Sequence, residues 1–136
     1  MDFERLINAS KTYVFRKSVP AGESGFIEHS LVAHGTVENV KIRFAAGENG
    51  TLRIRPVVII PQEIMIDLFT YAEGGDKYIS GDDETVSSSV RYEIENNAVL
   101  RVFYENHGEP GSADSQVNVD IEVTYFQITE PRNIIG

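Results

Sequence analysis

The side chains in this 136-residue sequence that could do chemistry are three histidines, 21 carboxylates and 12 cations, with no cysteine. His29, His34 and His107 contain no i, i+2 pair, and the five-residue step from His29 to His34 would point them to opposite faces of a continuous strand. A histidine metal centre is therefore not expected. Without cysteine there is no thiolate site, no Cys nucleophile and no disulfide framework, and the redox compartment stays open. The sequence holds no Gly-x-Ser-x-Gly elbow, no His-Glu-x-x-His pair and no Gly-x-x-x-x-Gly-Lys phosphate loop. Two carboxylates meeting in space could act as general acid and base, but nothing selects a pair, so the chain is read as non-enzymatic with no resident cofactor.

Two charged features remain. The richest acidic run is Glu73 to Glu84, EGGDKYISGDDE, where Asp76, Asp82, Asp83 and Glu84 sit among glycines. Calcium takes about six to eight oxygen ligands and such a loop could supply several. The order required of an EF-hand is missing, and the competing reading is an exposed loop whose charges face water. The opposite feature is basic. If the turn AGENG at Ala46 to Gly50 closes a hairpin, Arg43 opposes Arg53 and Lys41 opposes Arg55, four cations on one exposed face. Like charges across a ladder repel. Either acidic side chains from a neighbouring strand intercalate, or another molecule covers the patch. A basic face and an acidic face on one subunit favour head-to-tail contacts, the kind that build rings or arrays.

The elements that must carry these groups are strands. Val117, Val119, Ile121, Val123 and Tyr125 alternate with Asn118, Asp120, Glu122 and Thr124, the pattern of a half-buried strand. The same period of two runs through Val40, Ile42 and Phe44 and through Leu52 and Ile54, which predicts an antiparallel hairpin across AGENG. A second hairpin is predicted from Val90, Tyr92 and Ile94 across Asn96-Asn97 to Leu100, Val102 and Tyr104. Thr12 to Lys17 and Phe26 to Ala33 flank a further turn-forming run, and Pro61 separates Val57 to Ile60 from Ile64 to Tyr71, a segment read as strand with Ile64, Ile66 and Leu68 on one face in preference to a short helix. The near-identical AGESG (Ala21 to Gly25) and AGENG are repeated turn chemistry, since the segments after them share no pattern. The expectation is an all-β, single-domain antiparallel sandwich, jelly-roll-like, of about eight strands. A short N-terminal helical turn is expected where Phe3, Leu6 and Ile7 fall at i, i+3, i+4.

Length fits one domain, divided as an arm at 1–10, the sandwich at 11–128 and a tail at 129–136. No apolar run approaches a membrane span, and the opening Met-Asp-Phe-Glu-Arg lacks a signal peptide's basic and apolar regions, so no membrane partner is expected. The net charge of −9 is unevenly placed: residues 1–72 hold eight basic and eight acidic side chains, residues 73–136 four and thirteen. That asymmetry disfavours phosphate backbones, so nucleic acid is not expected as a partner. Both ends carry apolar side chains, Phe3, Leu6 and Ile7 at one and Ile134 and Ile135 at the other, suited to docking on the parent domain or, in the preferred reading, on neighbouring subunits.

In the phrasing of its turns and strands the chain resembles jelly-roll accessory proteins of tailed-phage virions. The resemblance is carried by VPAGESG at Val19 to Gly25, GTLRIRP at Gly50 to Pro56, the YISGDDE loop and the closing strand VNVDIEVTY. It implies a virion component such as a capsid decoration, head-fibre base, neck or tail module, a homo-oligomer or a partner of other virion subunits, and a virion location; otherwise the chain reads as cytoplasmic. It carries over no functional residue. The alternative is a carbohydrate-binding β-sandwich module, with structural calcium as an option, using Tyr71, Tyr78 and Tyr104 as stacking faces; the absence of tryptophan counts against it.

Overall fold

Strands that alternate apolar and polar residues can bury one face only, and here two sheets of them bury that face against each other. The computed structural model describes residues 5–31, 33–69, 77–95 and 97–129. Its strands are β1 Arg5–Val19, β2 Ser24–Ser30, β3 Gly35–Phe44, β4 Leu52–Ile60, β5 Ile64–Asp67, β6 Glu84–Ile94, β7 Val99–Asn106 and β8 Ser115–Thr129. One sheet has the order β1-β8-β3-β6, the other β2-β7-β4-β5, with antiparallel pairing throughout. Among the described elements only β4 and β5 form a hairpin within one sheet, across Pro61, Gln62 and Glu63; every other consecutive pair is divided between the sheets. This is the eight-stranded jelly-roll arrangement.

Three expectations need correction. β3 and β4 are not a hairpin, and neither are β6 and β7, because each pair is split between the sheets. Asn97 does take a positive φ of 71°, as a tight turn would require, but the chain leaves that turn toward the opposite sheet. The helical turn at Phe3, Leu6 and Ile7 is replaced, from Arg5 onward, by strand: Leu6 and Ile7 stand opposite Ile128 and Gln127 of β8. A ladder running the full length of β1 outweighs a single helical turn, whose nucleation is unfavourable.

The core is the set of inward positions from both sheets. Phe15 of β1, Ile42 and Phe44 of β3, Leu52 and Ile54 of β4, Leu100 and Val102 of β7 and Val119, Ile121 and Val123 of β8 are fully or almost fully buried. Each such side chain contributes roughly 1.5–3 kcal/mol relative to exposure. Tyr13 and Tyr125 carry hydroxyls into this core, and the two phenols hydrogen-bond each other; burial and the Tyr125 hydroxyl push the Tyr13 pKa up. Asn106 is also buried, and its amide donates to the Val19 carbonyl (2.9 Å) while its oxygen accepts the Gly108 N–H (2.8 Å), so its polar groups are satisfied.

Against β8, Val37 faces Val123 and Asn39 faces Glu122, so Glu38 is an extra residue. This β-bulge is why Val37 and Val40, three positions apart, both point inward; the pairing with β6 is irregular at the same place. Val37 faces Tyr92 and Asn39 faces Ser89, so Val90 and Arg91 of β6 stand against Glu38 alone. Arg91 takes φ of 100°, a region costly to a bulky side chain. The corner between β3 and β4 is built by Asp82, whose Oδ1 accepts the N–H of Gly47 (2.8 Å) and of Asn49 (3.0 Å), with Gly47 at φ 94° and Asn49 at 51°. Gly22 of the sister sequence AGESG likewise sits at positive φ, 86°.

These backbone features set the response to two substitutions. Arg91→Gly should raise unfolding free energy in denaturant titration by about 1 kcal/mol, because glycine accepts the positive φ without strain. Asp82→Ala should lower it by about 1–2 kcal/mol, since it removes a charged acceptor shared by two corner amides.

Candidate functional site

Sheet β2-β7-β4-β5 turns an unusual outer face to solvent. Its cross-strand rows read Ser24, Glu105, Arg53; then Phe26, Phe103, Arg55; then Glu28, Arg101, Val57, Asp67. Phe26 is 48% exposed and stands at the β2 end of its row, on an edge strand. The Arg101 guanidinium lies 4.1 Å from the centre of its ring and 5.5 Å from that of Phe103, and the two rings meet edge to face at 5.8 Å. Arg55 reaches Phe103 from the other side at 5.7 Å. Guanidinium planes on aromatic faces are weakly hydrated and suited to contact with another protein.

Carboxylates hold these cations in place. Arg55 binds Asp67 through both arms, Nε to Oδ1 at 2.7 Å and Nη2 to Oδ2 at 3.2 Å. Asp67 is itself nearly buried, and its hydrogen bonds keep the Arg55 pKa above the ordinary arginine value against the opposing effect of burial. Lys77 adds a second cation to Asp67 at 3.5 Å. Arg101 Nε donates to Glu28 Oε1 at 2.9 Å. Glu105 gathers Arg53 at 3.7 Å and His107 at 2.8 Å, and Arg53 also lies over Tyr78 at 5.1 Å. Partial burial, then the charge of Glu105, raises the Tyr78 pKa. Three arginines and Lys77 thus share three carboxylates in a fixed lattice around two phenylalanines.

The predicted four-cation face is not formed. Lys41 and Arg43 belong to the outer face of one sheet and Arg53 and Arg55 to that of the other. Lys41 stands opposite Asp120 and Ser87, and Arg43 donates to Asp83 at 2.7 Å. Carboxylates stand beside Arg43, Arg53 and Arg55 among the described residues: Asp83, Glu105 and Asp67. The missed residues are Phe26, Phe103 and Arg101; their signal was alternation, since Phe26, Glu28 and Arg101, Phe103 occupy polar positions of their strands.

The acidic loop is occupied with structural work. Asp82 holds the corner amides, Asp83 pairs with Arg43, and Glu84 Oε2 accepts the Asp82 N–H at 3.1 Å. Among the described residues no three His, Asp or Glu side chains converge as a metal site, and Asp76 lies outside them. Phe3, Ile134, Ile135 and Tyr71 also lie outside the described residues. Of the proposed sugar platforms, Tyr104 is a core residue at 6% exposure, against the expectation, because it occupies an inward position of β7. His29 packs on Phe15 and its Nε2 meets the Val14 carbonyl at 3.0 Å. The opposite outer face, on β1-β8-β3-β6, carries Ser10, Thr12, Thr124, Thr36, Thr85 and Ser87, a hydroxyl-rich surface of ordinary solvated character.

No family model matches the sequence, and no curated protein matches it. Solved structures do. The chain is similar to a protein of the infectious bursal disease virus particle at 10% identity and TM-score 0.53, covering 90% of this chain and 31% of that one. The VP2 subviral particle of the same virus aligns at 12% identity, 90% and 32% coverage and TM-score 0.44. CBM32-1 from a family 31 glycoside hydrolase of Clostridium perfringens aligns at 15% identity, 77% and 75% coverage and TM-score 0.40. The chain therefore spans about a third of the length of the viral chains it matches. At these identities the likeness is one of fold: an all-β sandwich of the viral jelly-roll type, not one specific to tailed phages.

Proposed function

We propose that this chain is a non-enzymatic structural module that assembles with neighbouring protein subunits of a virion, as a decoration, head-fibre base, neck or tail component does. The outer face of β2-β7-β4-β5, with Phe26 on its β2 edge, Arg101 and Phe103 beside it on β7 and Arg53 and Arg55 beyond them on β4, is the docking surface. The observation that carries the reading is the half-exposed Phe26 held under Arg101. Such a ring is a rigid anchor of large area, and aromatic and arginine side chains dominate the energetic centres of protein interfaces. The viral jelly-roll likeness in fold supports the same reading. The carbohydrate-binding alternative loses one of its three platforms with Tyr104 in the core.

Sedimentation velocity of the full chain across a wide concentration range tests this. Concentration-dependent association is expected, weakened at least about tenfold by Phe26→Ser with the melting temperature nearly unchanged. A chain that stays monomeric throughout, or a Phe26→Ser variant that associates like the parent, would contradict it.

A further inference from the structure

At the β3–β4 corner a carboxylate is buried with no cation beside it among the described residues. Glu48 is 7% exposed, the sole acidic residue among the buried polar residues of the described part. Its Oε1 accepts the Ser115 hydroxyl at 2.6 Å, but its Oε2 has only the Gln116 N–H at 3.4 Å. An ionised carboxylate has about four acceptor sites. One of its two oxygens is thus nearly unused, although the group is more than nine-tenths buried.

The space beside Glu48 is a cleft of about 470 Å³, within the roughly 300–1,000 Å³ of ordinary binding pockets. Glu48, Glu109 and Asp114 line it together with Asn49, Asn106 and Gln116, and among the described residues no lysine, arginine or histidine does. The carboxylate is also held rigidly. The Glu48 N–H donates to Ala45 O (3.4 Å), its carbonyl accepts the Thr51 N–H (2.9 Å) and hydroxyl (2.7 Å), and Asp82 pins the amides on either side.

A buried charge is expensive unless paired, and a neutral glutamine would serve Ser115 without that cost. We propose that the cleft is a socket for one basic side chain, a guanidinium or ammonium group, presented by a neighbouring protein subunit. The bound group takes the free acceptor capacity of Glu48 Oε2, with Glu109 and the Asp114 carboxylate at the rim. The lining argues that the subunit is a different, basic protein: the cleft has three carboxylates and no cation, whereas the Phe26 face, where copies of this chain meet, has its cations and carboxylates paired. The source of the side chain rests on the assembly reading above, whereas the socket itself does not, so the two can fail separately.

The test is titration of the full chain with arginine amide, followed by the backbone amide resonances of Ser115 and Gln116. Both amides are Nα-acetylated, so the guanidinium is the only charge on the arginine amide and the citrulline amide is a neutral control of the same shape; calcium is a separate arm. A saturable shift with arginine amide, absent with citrulline amide and weakened at least about tenfold by Glu48→Gln, is expected. Glu109→Gln, an exposed rim substitution, should weaken it severalfold and serves if Glu48→Gln does not fold. Equal shifts with citrulline amide, no saturable shift, indifference to both substitutions, or calcium occupying the cleft in place of the arginine group would each overturn the socket. None of these would touch the Phe26 face.

Discussion

The whole structure depends on one constraint: each of its strands is half apolar, so neither sheet can exist without the other. Val119, Ile121 and Val123 from one sheet and Leu52, Ile54, Leu100 and Val102 from the other are buried only because the two layers face each other. The jelly-roll winding satisfies that need at nearly every step, since the chain passes from layer to layer after all but one of its strands. The connections between layers then become corners, each of which must satisfy backbone groups without a hairpin ladder. Asp82 at the β3–β4 corner and Asn106 at the β7–β8 side do this with side-chain hydrogen bonds.

With the inner faces committed to each other, chemistry is left to the outer faces and the corners. The two outer faces differ. One is rich in serine and threonine; the other carries the Phe26, Phe103, Arg101 and Arg55 lattice. Its arginines are already neutralised by Glu28, Asp67 and Glu105, so what it offers a neighbour is aromatic area and oriented polar groups more than net charge. The corners hold the opposite kind of surface, where the buried Glu48 carboxylate has no cation beside it among the described residues.

Strand existence was legible because period-two alternation is a local property. The run from Val117 to Tyr125 reads the same in the sequence and in β8. Strand partnership was not legible, because a turn such as AGENG has the same residue types whether it closes a hairpin or rounds a corner to the other sheet. The four-cation face failed for that reason alone: Arg43 and Arg53 are near in sequence and on different layers. The pairing that does occur, Arg55 with Asp67 and Arg101 with Glu28, crosses strands that only the fold brings together. Glu48 was invisible for a related reason. A glutamate in a glycine-rich turn reads as solvated, and only the fold brings Ser115, far along the chain, close enough to donate its hydroxyl to that carboxylate in the interior.

If one outer face, and not the other, is the contact surface, Phe26 and Val14 make an internal comparison, being 48% and 47% exposed on opposite sheets. Hydroxyl-radical footprinting of the dilute and the assembled protein should show Phe26 becoming protected on assembly while Val14 keeps its reactivity. Protection of Val14 with Phe26 unchanged would contradict the assignment of the β2-β7-β4-β5 face.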